Sequence, residues 1–344
     1  MTRFPLTVFV ALVVVLALAG CQGGVVDAGP LDRAAPDSEP PTDASDDDVD
    51  DDTDTGTDTD ESDDDTAPDS DDGPEPRDEP SQGTKDPEPA TTEDEVAMTT
   101  VRLYFLAPGG STPARADPFL VSVQRKIPST PRIALATLRE LVDGPSGADK
   151  AMIDDISTAV PEQTLVLDVA VSGGLATVNL SREFESGGGS LSMFARLTQV
   201  VYTVTQFPTV DEVQFQLDGQ RVTAFSGEGI VLDQPVSRDD YLDLLPTVFV
   251  DSPAAGADVK DRIRVVGMAA VFEATFQYRL EAADGTVLAE RFAMTDNGVG
   301  WGAFDFTVEF DIDEAQQGRL TVWEYSAKDG SVQARRVTPV RLVP

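Results

Sequence analysis

Seventy-nine consecutive residues, 22–100, carry 29 acidic and 3 basic side chains and not one Phe, Tyr, Trp or Ile. A stretch so charged and so poor in apolar residues has nothing to bury against the entropy of ordering, so it is expected to be an extended, self-repelling linker. Folding is thereby confined to the remainder, 101–344, where 33 acidic residues face 21 basic ones. That length suits two small cores rather than one.

Of 344 residues, one is Cys and none is His, and the net charge is −37. Without histidine there is no Ser-His-Asp triad, no His-assisted thiol and no His-ligated zinc or haem. A single cysteine excludes an intrachain disulfide and multi-cysteine metal sites. The acidic balance argues against electrostatic binding to nucleic acid, which requires a basic surface. No metal site and no cofactor is expected; the Asp runs lack the spacing and closing Glu of a calcium loop.

The N-terminus reads as an export signal over residues 1–20. Arg3 supplies the positive start and Leu6 through Leu18 an apolar run broken only by Thr7, too short for a span of roughly 20 residues. Leu18-Ala19-Gly20-Cys21 resembles a bacterial lipobox, which implies that Cys21 becomes a lipid-bearing N-terminus. Two or more acyl chains suffice for stable anchoring. The expected organisation is a lipoprotein signal peptide at 1–20 and a lipid-anchored acidic linker at 21–100. An α/β domain at 101–246 and a β-sandwich at 247–344 follow.

In 101–246, Val101, Leu103 and Phe105 alternate with Arg102 and Tyr104, and Phe119 to Ile127 forms a second strand candidate. Thr130-Pro131 is expected to open a helix with Ala134, Leu138 and Leu141 on one face, stopped by Gly144-Pro145. Thr164 to Ser181 reads as a hairpin about Ser172-Gly173-Gly174. A helix from Ser190 carries Phe194, Leu197, Val201 and Val204, and Val213, Phe215 and Leu217 make a further strand. Ser237 to Asp240 has the form of a capping box. The glycine-rich run Ser186 to Ser190 lacks the Lys of a phosphate loop and is expected to be a flexible loop. The order of elements predicts an α+β module with helices on a small mixed sheet.

The segments Thr130-Pro131-Arg132 to Gly144-Pro145, Ala176 to Ser181, Gln199 to Pro208 and Leu217-Asp218-Gly219 resemble the GerMN domain of sporulation and spore germination. That resemblance implies a small α/β module similar to the ring-building motifs of envelope machines, with no catalytic residues.

In 247–344, Phe272, Ala274, Phe276, Tyr278 and Leu280 are expected on one strand face, and Phe304, Phe306, Val308 and Phe310 on another. Asp284-Gly285 and Asp329-Gly330 are hairpin dipeptides. Strands are expected at 247–251, 262–267, 270–281, 286–294, 303–311, 319–326 and 331–342, which predicts a two-sheet sandwich. Phe249 to Pro253, Val266-Gly267, Val271-Phe272-Glu273 and Val322 to Gly330 resemble the immunoglobulin-like domain of bacterial spore germination proteins. In the glycine-rich loop Asn297-Gly298-Val299-Gly300-Trp301, a candidate binding loop, Trp301 could stack on a glycan ring, anchor a partner or fold back on the sandwich end.

These readings point to a cell-surface, non-catalytic binding or scaffold module of the sporulation and germination type. It is expected to be held to the membrane by its N-terminal lipid, on the extracytoplasmic side, and to engage envelope proteins or the cell-wall polymer. An accessory subunit of an envelope signalling or assembly complex is the alternative, favoured by an unpaired strand edge in the first domain. A glycan hydrolase requires two carboxylates facing each other across a cleft at roughly 5–10 Å.

Overall fold

Among the described residues the first strand starts at Met98. Strand β1 (Met98–Ala107) runs antiparallel to β2 (Phe119–Pro128), with Leu103 opposite Val123. The structure, a computed structural model, describes residues 96–109, 117–227 and 229–344; the signal at 1–20, Cys21 and the acidic linker up to 95 lie outside the described residues. Simple alternation would turn Tyr104 to solvent, yet its ring is fully buried along with Leu103 and Phe105. Both faces of β1 are covered.

Helix α1 (Ile133–Val142) starts later than Thr130-Pro131 suggests, because the Thr130 hydroxyl accepts the Arg132 N–H at 3.2 Å and holds these residues in a turn. Its buried face is Ala134, Leu138 and Leu141 as the spacing requires, and Gly144 ends it with φ +80°. A short helix, α2 (Gly147–Met152), goes beyond the sequence reading. Ser146 and Asp149 cap it reciprocally, the Ser146 N–H on Asp149 at 2.7 Å and the Asp149 N–H on Ser146 at 3.2 Å.

Next come β3 (Val166–Ser172), β4 (Gly174–Leu180), α3 (Ser190–Val204), β5 (Val210–Leu217) and β6 (Gln220–Arg221), the four strands forming one sheet in that order. The sheet is mixed, since β4 pairs antiparallel with β3 and parallel with β5. Leu197, Val201 and Val204 of α3 are fully buried. The small hairpin of β7 (Ala224–Phe225) and β8 (Ile230–Val231) follows, then a 3-10 turn, Arg238–Leu244, capped by Ser237 and Asp240 as expected. The glycine-rich loop is not left to itself. Arg196, 2% exposed, reaches back from α3 and donates to the carbonyls of Phe184 at 2.6 Å, Ser186 at 3.1 Å and Gly187 at 3.0 Å.

The C-terminal half has eight strands: β9 (Val248–Ser252), β10 (Ala257–Lys260), β11 (Arg262–Ala269), β12 (Thr275–Ala282), β13 (Val287–Met294), β14 (Gly302–Glu309), β15 (Gln316–Tyr325) and β16 (Val332–Val343). β13, β12, β15 and β16 pair in that order; β14 and β9 flank β11, and β10 joins the two groups by pairing with β16 and β11. β10 is the strand that sequence patterning leaves out, being only four residues long. The expected strand 270–281 also starts late. Phe272–Ala274 forms a 3-10 turn in which Glu273 and Ala274 have positive φ, and Phe272 is 63% exposed. Regular inward alternation begins at Phe276 and continues through Tyr278 and Leu280. The core formed around Phe276, Phe304 and Leu320 is distinct from the one built on β1, α1, α3 and β5. The fold is thus an α+β module followed by an immunoglobulin-like β-sandwich.

Candidate functional site

Where the two halves meet, a cluster of charged and phenolic side chains is buried together. Asp251, at the end of β9, lies under β1 and receives the Tyr104 hydroxyl in a short hydrogen bond. Arg238, from the capped 3-10 turn, donates Nη1 to Asp251 at 3.1 Å and Nη2 to the Tyr104 hydroxyl at 3.2 Å and the Tyr202 carbonyl at 3.0 Å. Its Nε reaches the Thr205 hydroxyl at 2.8 Å, and its guanidinium lies 4.6 Å from the centre of the Tyr202 ring. Arg102 donates Nε to the Tyr104 hydroxyl at 3.1 Å and sits 3.8 Å from Asp251. Aromatic contacts continue across the joint, Tyr202 meeting Phe249 edge-on at 5.8 Å.

The electrostatics follow from this crowding. Burial, and then the neighbouring Asp251 charge, push the Tyr104 phenol up to about 12. Tyr202 is raised by burial as well. Burial opposes the charge on Arg238, but Tyr104 and Asp251 outweigh it and hold the guanidinium firmly protonated. Each polar group here is used by another, so the cluster works as a rivet. Backbone bonds reinforce it: Ala255 N–H donates to Ser122 at 2.9 Å, and Gln124 N–H to Ala255 at 2.8 Å, adding a residue of the second half to the edge of β2.

Beside the rivet lies a cleft of about 140 Å³, walled by Phe119, Val121 and Ile153 from one half and Val248, Phe249 and Val337 from the other. Arg335 and Arg336 also line it. The Arg336 guanidinium lies 4.2 Å from the centre of the Phe119 ring, and its Nη1 donates to the Arg335 carbonyl at 2.7 Å. Its Nε and Nη2 are shielded from solvent and find no acceptor among the described residues. Burial lowers its pKa, with Asp117 opposing that shift.

The candidate loop of the sequence reading lies elsewhere. The Asn297 side chain closes it, donating to the Trp301 carbonyl at 3.0 Å and accepting the Val299 N–H at 3.0 Å. Gly300 takes φ +85°, which suits glycine. Gly298 packs near Ala274, and the Trp301 indole is half-buried against the N-terminal core, leaving Val299 87% exposed. Cys21 lies outside the described residues.

Sequence reasoning missed the rivet and the cleft. Asp251 follows an apolar strand and Arg238 sits in a capped turn, and nothing in either local pattern says that residues 147 positions apart, Tyr104 and Asp251, will touch. Among the described residues no cluster of three or more metal-ligating side chains occurs, and no helix is long and apolar enough to cross a membrane.

Residues 102–223 match the Germane family, described as sporulation and spore germination. Residues 247–331 match Gmad2, the immunoglobulin-like domain of bacterial spore germination. No curated protein matches the chain. Among solved structures, the chain is similar to the first GerMN domain of the sporulation protein GerM from Bacillus subtilis. The identity is 20%, over 41% of this chain and 99% of that one, with a TM-score of 0.35. It is also similar to the tandem GerMN domains of the same protein, at 15% identity over 62% of each chain and a TM-score of 0.36.

Proposed function

We infer that this chain, whose two folded domains belong to the Germane and Gmad2 families of sporulation and spore germination, works as a non-catalytic binding and scaffold module at the cell surface. The rivet between Tyr104, Arg238 and Asp251 carries this reading, because it joins two small domains into one block able to present a composite surface to a partner. Asp149 and Asp251 are each committed to arginines, with side-chain exposures of 3% and 15%, rather than paired across a substrate cleft. In this reading Cys21 carries the lipid, the acidic segment lets the block stand away from the bilayer, and the partner is an envelope protein or the cell-wall polymer.

Globomycin should block processing of the full chain, and a Cys21→Ser variant processed like the wild type would remove the anchor from the account. Incubation of the full chain with purified sacculi and, separately, with membrane extract then separates polymer from protein partners. Retention on neither would leave the binding role without support. Trp301→Ala tests the loop in whichever interaction is found, and unaltered retention excludes it.

One observation favours the second reading, an accessory subunit of an envelope complex. Among the described residues β3 ends the mixed sheet with no strand on its outer side, and Leu167 and Val171 along it are 43% and 41% exposed, with Leu165 just before it 61% exposed. Such an edge accepts a strand from another protein. A Val171→Pro variant that still folds but loses a co-purifying protein would establish that mode.

A further inference from the structure

We propose that the cleft between the two domains binds a small carboxylate with an apolar body, its anion held by Arg335 and Arg336. The proposal goes beyond the scaffold reading and can fail without it.

In a chain of net charge −37, two adjacent arginines without a carboxylate partner need a reason. Among the described residues the Arg335 side chain makes no ion pair or hydrogen bond, and Arg336 leaves two donors unmet. Unmet, solvent-shielded donors on a half-buried cation are destabilising, so the arrangement is incomplete until an anion arrives. The backbone is shaped to aim these residues. β15 and β16 slip register between Val322 and Glu324, and Ala334, directly before the pair, holds φ +51° despite having a side chain. Bulges of this kind redirect side chains; here Arg336 lies along the cleft on Phe119, and Arg335 borders both this cleft and a neighbouring one formed by Arg279, Trp323 and Tyr325.

The walls set the rest of the ligand. Phe119, Ile153, Val248 and Val337 are apolar, and about 140 Å³ holds roughly one six-membered ring or a short branched chain. An inorganic anion would leave these walls unmatched, and a neutral apolar group would leave the guanidinium groups unmatched. Asp117, whose charge acts on Arg336, forms no ion pair with it among the described residues and accepts the Gly109 N–H at 2.8 Å. Engagement requires Arg336 to slide on the Phe119 face, a movement opposed mainly by their stacking. Two sources share this chemistry, a free apolar acid and the C-terminal residue of a peptide.

The test titrates the full chain with benzoate, benzamide, inorganic phosphate, and acetyl-Ala-Leu as the free acid and as the amide, followed by calorimetry. Benzoate or the free-acid peptide should bind at least tenfold more tightly than its neutral counterpart and than phosphate, and the stronger of the two identifies the source. Arg336→Met should weaken that binding at least tenfold. Val337→Phe, which fills the cleft mouth and keeps both charges, should do the same if Arg336→Met does not fold. Equal binding of acid and amide, phosphate binding as tightly as the acids, or wild-type affinity in the folded variants would overturn the proposal, as would no binding at all.

Discussion

Replacing Asp251 by Asn removes one negative charge from the joint and almost no volume. In the wild type that carboxylate accepts the Tyr104 hydroxyl, lies 3.1 Å from Arg238 and 3.8 Å from Arg102. At an effective dielectric constant of about 20, attraction over 3.1 Å is roughly 5 kcal/mol and over 3.8 Å roughly 4 kcal/mol. Desolvation of the carboxylate offsets much of this, and removing one partner from a buried pair leaves a net loss of about 3–5 kcal/mol. Since Asn still accepts hydrogen bonds, and Asp251 and Arg238 are 15% and 25% exposed, the expected loss is about 2–4 kcal/mol. For a folded part of this size that lowers Tm by roughly 5–15 °C. Urea unfolding followed by tryptophan fluorescence and far-UV circular dichroism measures it. The two probes should coincide in the wild type and separate in the variant, because the loosened domains then unfold at different urea concentrations. A double-mutant cycle with Tyr104→Phe isolates the Tyr104–Asp251 coupling from the loss of either group. A loss below about 0.5 kcal/mol with coincident transitions would refute the idea that this charge fastens the domains.

The same joint predicts an alkaline limit. Tyr104 is raised from its usual value to about 12, and Tyr202 and Tyr241 are raised by burial too. Because the folded pKa exceeds the unfolded one, their contribution is complete below about pH 10 and is lost as pH climbs toward 12. Tyrosinate absorbance should therefore show a late-titrating fraction that appears together with unfolding; full titration of all tyrosines by pH 10.5 in folded protein would contradict it. Gly267→Ala should cost about 3 kcal/mol or more, because the added carbon would overlap the Phe249 carbonyl and lie 2.6 Å from the Phe304 ring. Thermal denaturation reads that loss, and an unchanged Tm would show that β9 and β11 can part freely. Arg196→Met should lower stability by about 2–4 kcal/mol and make the loop at 186–190 sensitive to protease, since three carbonyls lose their donor. Wild-type resistance to cleavage would mean that the loop is held by other contacts.

How far the chain could be read without its structure depended on the range of the interaction. Ser237 and Asp240 lie three residues apart, so their capping box is local and was legible. The Gly173-Gly174 turn is legible too, because glycine accepts positive φ wherever it falls. The start of α1 is not legible in the same way, since whether Thr130 caps a helix or closes a turn depends on the hydrogen bond its hydroxyl makes. Phe272 reads as inward from a pattern that begins three residues before the strand, and a 3-10 turn carries it to the surface.

By itself the sequence determined which periodicity each of these segments follows, because apolar spacing and turn chemistry act over a few residues. It also identified both domain types, through motifs that keep their order along the chain. Tertiary structure alone decided that Tyr104 is buried, that Asp251 fastens one domain to the other, and that Arg336 lies against Phe119 with donors unmet. Those outcomes depend on desolvation and on contacts between residues more than a hundred positions apart, and neither leaves a mark on local pattern.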